Sequence, residues 1–196
     1  MNTWANRVTL ARVILIPVFV VVLLARLPNY GPWIAALIFT ALAATDAVDG
    51  YLARSRNEVT TFGKFIDPLA DKLLVTAALV SLVELDKISA WIAIIIISRE
   101  FIVTGLRLVS VAEGKVIAAS RYGRLKTIFQ IAAIVGFIVK DSPLIAQVIG
   151  SIGEMALQAL AWGVMGVAIG LTLLSMFDYF YHARDILSGP WGGASS

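Results

Sequence analysis

Residues 46–71 read DAVDGYLARSRNEVTTFGKFIDPLAD and join two apolar runs of the chain. Asp46 and Asp49 close the first run and are three residues apart, while Asp67 and Asp71 open the second and are four residues apart. Residues three or four apart share one face of a helix, so each pair falls on a single helix face. The polar segment between the runs predicts an antiparallel helix pair. We therefore expect the four carboxylates to lie at the same depth.

The composition around this segment is typical of a membrane protein. The chain has 196 residues, of which 59% are apolar and 15% are charged, and its mean hydropathy is +0.87. Soluble domains average about 45–50% apolar and about 25% charged residues, and a soluble domain with this composition would expose large apolar patches. The composition excludes a soluble enzyme, a disordered chain, a coiled coil and a zinc-finger protein. The absence of cysteine excludes disulfides and thiolate metal sites.

Six apolar runs predict six transmembrane helices. The first run is followed by further runs and by no cleavage motif, so we interpret it as a retained helix. The fold class is therefore an all-α integral membrane domain over residues 1–187, followed by a flexible tail over residues 188–196. The predicted helices cover Val13–Ala25, Trp33–Tyr51, Lys64–Val83, Ile88–Val109, Leu125–Val139 and Met155–Tyr181.

Basic residues predict the orientation of these helices. Of the 16 Lys and Arg residues, eleven fall on the side that holds the N-terminus and three fall on the other side, while Lys72 and Arg99 lie within predicted helices. The positive-inside rule then places both termini and the aspartates at the cytoplasmic face. The net charge of +3 reflects this topology, and we expect no nucleic-acid binding because the basic residues lie in short loops.

Four carboxylates at one depth predict a metal site. A carboxylate in a membrane helix is costly, and like charges at close range raise the pKa of some members of the group. Divalent cations relieve both costs. Oxygen ligands with no His or Cys nearby favour Mg²⁺ or Mn²⁺, and four carboxylates can hold two ions.

Two other interpretations remain open at this point. Asp67 before Pro68 is typical of a helix N-cap followed by proline at the first helical position. A divalent-cation transporter would also carry carboxylates, although such residues lie near the midplane of the membrane and not at one face.

Small residues continue the helix face of the first aspartate pair. Gly50 and Ala53 lie four and seven residues after Asp46, and small residues let a partner helix or a ligand approach the backbone. Arg54 follows at the cytoplasmic surface, where its guanidinium suits a phosphate. Gly63 lies one helix turn before the second aspartate pair and keeps the entry open.

The segment resembles the signature of the CDP-alcohol phosphatidyltransferase family, D-x2-D-G-x2-A-R-x8-G-x3-D-x3-D. All eight fixed positions of the signature are present in residues 46–71. The segments NRVTLARVILIPVF, TTFGKFIDPLADK, ISREFIVTGLR and IAASRYGRLKT support the resemblance, which covers about residues 6–127.

The resemblance implies a membrane enzyme with six helices, present as a homodimer in the bacterial cytoplasmic membrane. It implies transfer of a phosphatidyl group from CDP-diacylglycerol to an acceptor hydroxyl, with release of CMP. Bacterial members of this kind use glycerol 3-phosphate and form phosphatidylglycerophosphate for anionic phospholipid synthesis. Inositol phosphate, serine and phosphatidylglycerol are the alternative acceptors within the family.

The resemblance also implies roles for individual residues. The two metal ions are held by Asp46, Asp49, Asp67 and Asp71, and Asp71 is also the base for the acceptor hydroxyl. The residues expected to bind CDP-diacylglycerol are Asn6, Thr9, Gly50, Ala53, Arg54, Thr60 and Gly63.

The acceptor phosphate requires a cationic pocket beside the metal ions. Arg99 lies within an apolar helix, where an isolated guanidinium is costly. We expect its neighbour Glu100 to point elsewhere, so that Arg99 pairs with the site or with another helix. The candidates for the acceptor phosphate are Arg99, Arg107, Arg121, Arg124 and Lys126, with Arg107 and Arg121 first.

Overall fold

The computed structural model describes residues 4–55, 61–112 and 121–187, and these residues form six α-helices and no β-strand. The predicted all-α fold, with six helices in this order, is confirmed within these ranges. The helices are α1 (Trp4–Leu24), α2 (Gly31–Ser55), α3 (Thr61–Glu84), α4 (Ala90–Ala112), α5 (Arg121–Val139) and α6 (Pro143–Leu187).

Most helices are longer than the apolar runs that predicted them. The first helix begins at Trp4 and not at Val13, and the second ends at Ser55 and not at Tyr51. Apolar runs mark only the part of a helix that suits hydrocarbon, whereas the backbone hydrogen bonds continue into polar turns until a breaking residue intervenes. The polar turns that carry the candidate site are therefore helical.

The predicted loop between the fifth and sixth helices is too long. The predicted helices leave residues 140–154 between them, but α6 begins at Pro143, since proline suits the first helical position. Gly150 interrupts α6 with φ 62° and ψ −177°. A left-handed φ is accessible to glycine at little cost, so the chain kinks there and continues as a helix.

Hydrogen bonds between loop residues and neighbouring helices show which helix ends lie together. Lys87, between α3 and α4, donates from Nζ to the carbonyl oxygens of Phe137 and Ile138 at 3.0 and 3.1 Å. Trp33, near the start of α2, donates from Nε1 to Ser142 Oγ at 3.0 Å. The start of α2, the end of α3, the start of α4 and the end of α5 therefore meet at one end of the bundle, which we call the lysine end.

The opposite end of the bundle holds the end of α2 and the start of α3, together with the end of α4 and the start of α5. We call it the aspartate end, because Asp46, Asp49, Asp67 and Asp71 lie towards it. The apolar core between the two ends lies where α2 and α3 contact each other and where both contact α1 and α5. The largest fully buried core side chains include Phe19, Phe39, Leu79, Leu82, Ile134 and Phe137.

The outward surface of the bundle is apolar on every helix. Large apolar side chains that are more than half exposed include Ile14, Leu37, Val80, Trp91, Ile128 and Phe177, one from each helix in order. Exposed apolar surface of this extent marks contact with lipid or with another protein.

Length and composition single out one membrane-spanning helix among the described residues. Gly150–Tyr181 is long and apolar enough to cross a membrane, while Thr9–Leu24, Gly31–Thr45 and Leu125–Val139 are shorter apolar stretches. The prediction of six spans with both termini in the cytoplasm therefore stays a prediction.

Candidate active site

The four aspartates of the motif lie near the adjoining ends of α2 and α3. Asp49 precedes the end of α2 by six residues and Asp46 by nine, while Asp67 follows the start of α3 by six residues and Asp71 by ten. A helix rises about 1.5 Å per residue, so both pairs lie roughly 9–15 Å from these ends. Because α2 and α3 are in contact, the helix bounds agree with the common depth predicted for the two pairs.

Several predicted site residues lie outside the part of the chain whose side chains are described, so their roles stay predictions. Thr60 falls between the described ranges. Residues whose helical backbone alone is described are Asn6, Asp46, Asp49, Gly50, Ala53, Arg54, Gly63, Asp67, Asp71, Arg121 and Arg124.

The donor set at the aspartate positions fits the predicted metal ions. Among the side chains that are described, no group of three or more His, Cys, Asp and Glu residues is placed to hold a metal. The four aspartate positions lie outside that set and supply carboxylate oxygens alone, which are the ligands that Mg²⁺ and Mn²⁺ prefer.

Two buried polar residues of α1 lie at the depth of the aspartates. Thr9 and Arg12 are each only 2% exposed, and α1 contacts both α2 and α3. The end of α1 lies beside Lys87 at the lysine end, so its start at Trp4 is at the aspartate end, and both residues lie within roughly 12 Å of that start. The sequence analysis does not identify Arg12 as a site residue, although it lies one helix turn after Thr9 and therefore on the same helix face. A buried guanidinium is costly unless anions surround it, so its position favours the acidic helices.

A second group of charged side chains lies where α4, α5 and α6 meet, and we call it the Glu100 cluster. Oε1 of Glu100 contacts Nη1 of Arg99 at 3.5 Å and forms an ion pair with Nζ of Lys126. Arg99 also donates from Nη2 to Oγ of Ser175 in α6. Its guanidinium carbon lies 5.7 Å from the ring centre of Tyr179, a distance typical of a cation–π contact.

The Glu100 cluster is buried and places two cations on one carboxylate oxygen. The side chain of Glu100 is 15% exposed, that of Arg99 is 7% exposed and that of Lys126 is 4% exposed. Nε of Arg99 is buried without a hydrogen-bond partner. Buried donors are normally paired, so a buried cation with an unused N–H is suited to receive an anion.

The Glu100 cluster adjoins the aspartate helices. Lys126 lies roughly 8 Å from the start of α5, close to the depth of the aspartates, and α5 contacts both α2 and α3. The structure therefore brings together two of the predicted acceptor residues, Arg99 and Lys126. Arg107 is the third predicted acceptor residue whose side chain is described. It lies further along α4 and is exposed.

One expectation about Arg99 is wrong and another is confirmed. Glu100 does not point away from Arg99, because the two side chains are in contact. Adjacent helix residues do not normally face each other, but both of these long side chains turn toward the space between α4, α5 and α6. Ser175 confirms that Arg99 pairs with another helix.

Comparison with known proteins gives a family and several relatives. The family described as CDP-alcohol phosphatidyltransferase matches residues 2–177. The CDP-diacylglycerol--glycerol-3-phosphate 3-phosphatidyltransferase of Bacillus subtilis (strain 168) is 44% identical over 186 residues, which cover 89% of this chain and 92% of the relative. The Haemophilus influenzae protein of the same name is 38% identical over 184 residues, covering 91% and 92%. A probable phosphatidylglycerophosphate synthase of Mycobacterium tuberculosis (strain ATCC 25618 / H37Rv) is 38% identical over 185 residues, covering 93% and 82%.

Proposed function

The chain belongs to the CDP-alcohol phosphatidyltransferase family, and from this premise we propose that it transfers a phosphatidyl group from CDP-diacylglycerol to glycerol 3-phosphate. Relatives named for this activity are 35–44% identical over most of the chain. The products are phosphatidylglycerophosphate and CMP, which places the reaction in anionic phospholipid synthesis. Family membership sets aside the divalent-cation transporter.

The observation that carries this proposal is the position of the signature in the fold. Its two aspartate pairs lie at one depth on two contacting helices, and a buried cationic cluster adjoins them. A pyrophosphate donor and a phosphorylated acceptor need these two environments side by side, because one binds through metal ions and the other through cationic side chains.

The reaction replaces a phosphoanhydride bond with a phosphate ester bond at the same phosphorus. The acceptor hydroxyl oxygen bonds to the phosphorus next to the diacylglycerol, and the bond from that phosphorus to CMP breaks. Asp71 accepts the hydroxyl proton, which a carboxylate can do once its surroundings have acidified the hydroxyl. Asp46, Asp49, Asp67 and Asp71 would hold two Mg²⁺ or Mn²⁺ ions. When bound, these ions neutralise the pyrophosphate and stabilise charge on the leaving CMP.

The nucleotide lies between α1 and the aspartate helices in this proposal. Thr9 supports that arrangement because it is buried at the depth of the aspartates on a helix that contacts both. Arg54, near the end of α2, contacts the pyrophosphate. The remaining contacts to CDP-diacylglycerol come from Asn6, Gly50, Ala53, Thr60 and Gly63.

The acceptor phosphate binds on the opposite side, against the Glu100 cluster. Arg99 and Lys126 supply the buried charge. The exposed Arg107 and the α5 residues Arg121 and Arg124 lie on the parts of α4 and α5 that lead to the aspartate end. They attract the phosphate toward the pocket.

We propose that the helices form six spans in the bacterial cytoplasmic membrane, with both termini and the aspartate end in the cytoplasm, and that the enzyme is a homodimer. Three observations support the spans. Every helix exposes large apolar side chains, the shorter apolar stretches are close to the length that crosses hydrocarbon, and basic residues concentrate at the aspartate end.

The test is CMP release by the purified protein from CDP-diacylglycerol in detergent micelles. Glycerol 3-phosphate, inositol phosphate, serine and phosphatidylglycerol are compared as acceptors, each with Mg²⁺, with Mn²⁺ and with excess EDTA. We expect release with glycerol 3-phosphate and either metal, and none in EDTA. Faster release with another acceptor would contradict the assigned substrate, and full activity in EDTA would contradict the metal ions.

A further inference from the structure

The charges of the Glu100 cluster are arranged around a single oxygen atom. Arg99 Nη1 and Lys126 Nζ both contact Oε1 of Glu100, so one carboxylate holds two cations from two different helices near each other. Without it, the two buried cations would repel each other in surroundings that screen charge poorly.

Other contacts fix Arg99 from the side of α6. Ser175 Oγ accepts a hydrogen bond from Nη2, and the ring of Tyr179 lies against the guanidinium. These contacts and the Glu100 contact leave Nε as the donor of Arg99 without a partner. The guanidinium is therefore held in one orientation, with a defined edge available.

We propose that Glu100 is a positioning residue for the acceptor. It holds Arg99 and Lys126 beside each other so that the unused N–H of Arg99 faces the phosphate of glycerol 3-phosphate. This inference rests on the proposed function. It assigns to Glu100 a role in acceptor binding that acts through the two cations and not through contact with the substrate.

The lysine end offers a matched control for this arrangement. There, Asp141 bridges Lys87 at 3.1 Å and Lys140 at 2.7 Å, so it is also a carboxylate between two cations. It lies at the opposite end of the bundle from the aspartates. Asp141→Asn removes the same charge as Glu100→Gln without touching the proposed site.

The experiment measures kcat and both KM values, for CDP-diacylglycerol and for glycerol 3-phosphate, in wild-type protein, Glu100→Gln, Glu100→Asp and Asp141→Asn. Loss of charge-assisted contacts at the phosphate predicts that Glu100→Gln raises the KM for glycerol 3-phosphate about tenfold or more. The KM for CDP-diacylglycerol stays within about twofold of the wild-type value. Glu100→Asp keeps the charge and gives a smaller increase, and Asp141→Asn changes neither KM.

A double-mutant cycle with Lys126→Met tests whether Glu100 acts through the cations. In the Lys126→Met background, Glu100→Gln should raise the KM for glycerol 3-phosphate by a smaller factor than in wild-type protein. An equal factor in both backgrounds would show that Glu100 acts independently of Lys126 and would overturn the proposal.

The remaining outcomes separate the proposal from a general loss of structure. An unchanged KM for glycerol 3-phosphate in Glu100→Gln, or an equal rise in both KM values, would overturn it. If Glu100→Gln does not fold, Ser175→Ala takes its place, because it removes one contact from Arg99 and should raise only the acceptor KM. Wild-type protein is assayed first. If it shows no turnover with glycerol 3-phosphate, the proposed function is contradicted. If it shows turnover and Glu100→Gln leaves the KM for glycerol 3-phosphate unchanged, only the role of Glu100 is contradicted.

Discussion

Two carboxylates in this molecule each bridge two cations, and they differ in burial and in what they leave unpaired. Glu100 lies between Arg99 and Lys126 among α4, α5 and α6, with its side chain 15% exposed. Asp141 lies between Lys87 and Lys140 in the loop before α6, with its side chain 50% exposed. The Glu100 arrangement is far more costly to build in an apolar bundle, because both of its cations are almost fully buried.

Hydrogen bonding explains why only one of the two arrangements points to function. Nζ of Lys87 has three acceptors, namely Asp141 and the carbonyl oxygens of Phe137 and Ile138, and an ammonium group has three donors. Lys87 therefore satisfies carbonyls near the end of α5, as basic side chains near helix C-termini commonly do. Arg99 keeps a buried N–H without a partner. We infer that the lysine end stabilises the fold and that the aspartate end performs the chemistry.

A cavity at the lysine end supports this division. It has a volume of about 410 Å³ and is lined by loop residues between α1 and α2, between α3 and α4 and before α6. Its charged lining residues are Arg26, Asp86, Lys87 and Asp141, which balance one another. This cavity therefore offers no surplus charge for a phosphate.

The largest expected effect is loss of an aspartate from the signature. Asp46→Asn and Asp67→Asn should each lower CMP release by roughly a thousandfold or more, because the pyrophosphate charge is no longer neutralised. Without metal, the melting temperature should be unchanged or higher, since removing one like charge relieves repulsion. Activity near the wild-type level in either variant would place the chemistry elsewhere.

A second prediction separates Asp71 from the other aspartates. Asp71→Asn keeps an oxygen ligand but cannot accept the hydroxyl proton, so CMP release should stop while CDP-diacylglycerol still binds. Asp49→Asn should weaken donor binding as well. Calorimetry of donor binding beside CMP release distinguishes the two variants. Equal loss of donor binding in both would make Asp71 a ligand and nothing more.

The third prediction separates the donor pocket from the acceptor pocket. Arg54→Ala should raise the KM for CDP-diacylglycerol, and Arg121→Ala should raise the KM for glycerol 3-phosphate, each by about tenfold, the size expected for a lost charge-assisted contact. Steady-state kinetics with one substrate varied at a time checks this. If both variants affected one substrate alone, the assignment of two pockets would fail.

The smallest expected effect lies at the lysine end and depends on pH. Burial alone would raise the pKa of the Asp141 carboxyl, but hydrogen bonds and charges from Lys140 and Lys87 hold it below its ordinary value. A carboxylate with a lowered folded-state pKa stabilises the protein above the ordinary pKa of about 3.9, and this stability is lost as the pH falls through the folded-state pKa.

Asp141→Asn should therefore lower the free energy of unfolding near pH 7 by less than about 1 kcal/mol, because a half-exposed ion pair is screened by solvent. Thermal melting of wild-type and variant protein between pH 7 and pH 3 should show the difference shrinking on the acidic side. A difference that grows as the pH falls would contradict the lowered pKa.

The sequence predicts the number and order of the helices because apolar runs separated by polar segments carry that information directly. It fails at helix ends, since polar turns such as those before Val13 and after Tyr51 stay helical once the neighbouring turn is formed. The sequence pattern leaves Gly150 between two predicted helices, whereas the structure places it at a kink within α6, because glycine is common in loops and at helix kinks alike.

The signature locates the aspartates because their spacing is a local property of the chain. The Glu100 cluster depends on contacts between α4, α5 and α6, and the residues involved are up to 76 positions apart. No local pattern contains Ser175 beside Arg99. Adjacent residues of a helix usually face different directions, so the sequence predicts that Glu100 points away from Arg99. This average tendency does not include the ion pair that Glu100 forms with Lys126 on another helix.

Calorimetric titration of the purified protein with Mn²⁺ tests most directly the claim that the chemistry lies at the aspartate end. Wild-type protein and Asp141→Asn should each bind about two ions per chain with the same affinity, because Asp141 lies at the other end of the bundle. Asp49→Asn should lose at least one of these ions or bind both much more weakly, since each ion depends on carboxylate ligands. Two ions bound by Asp49→Asn with unchanged affinity would contradict the account.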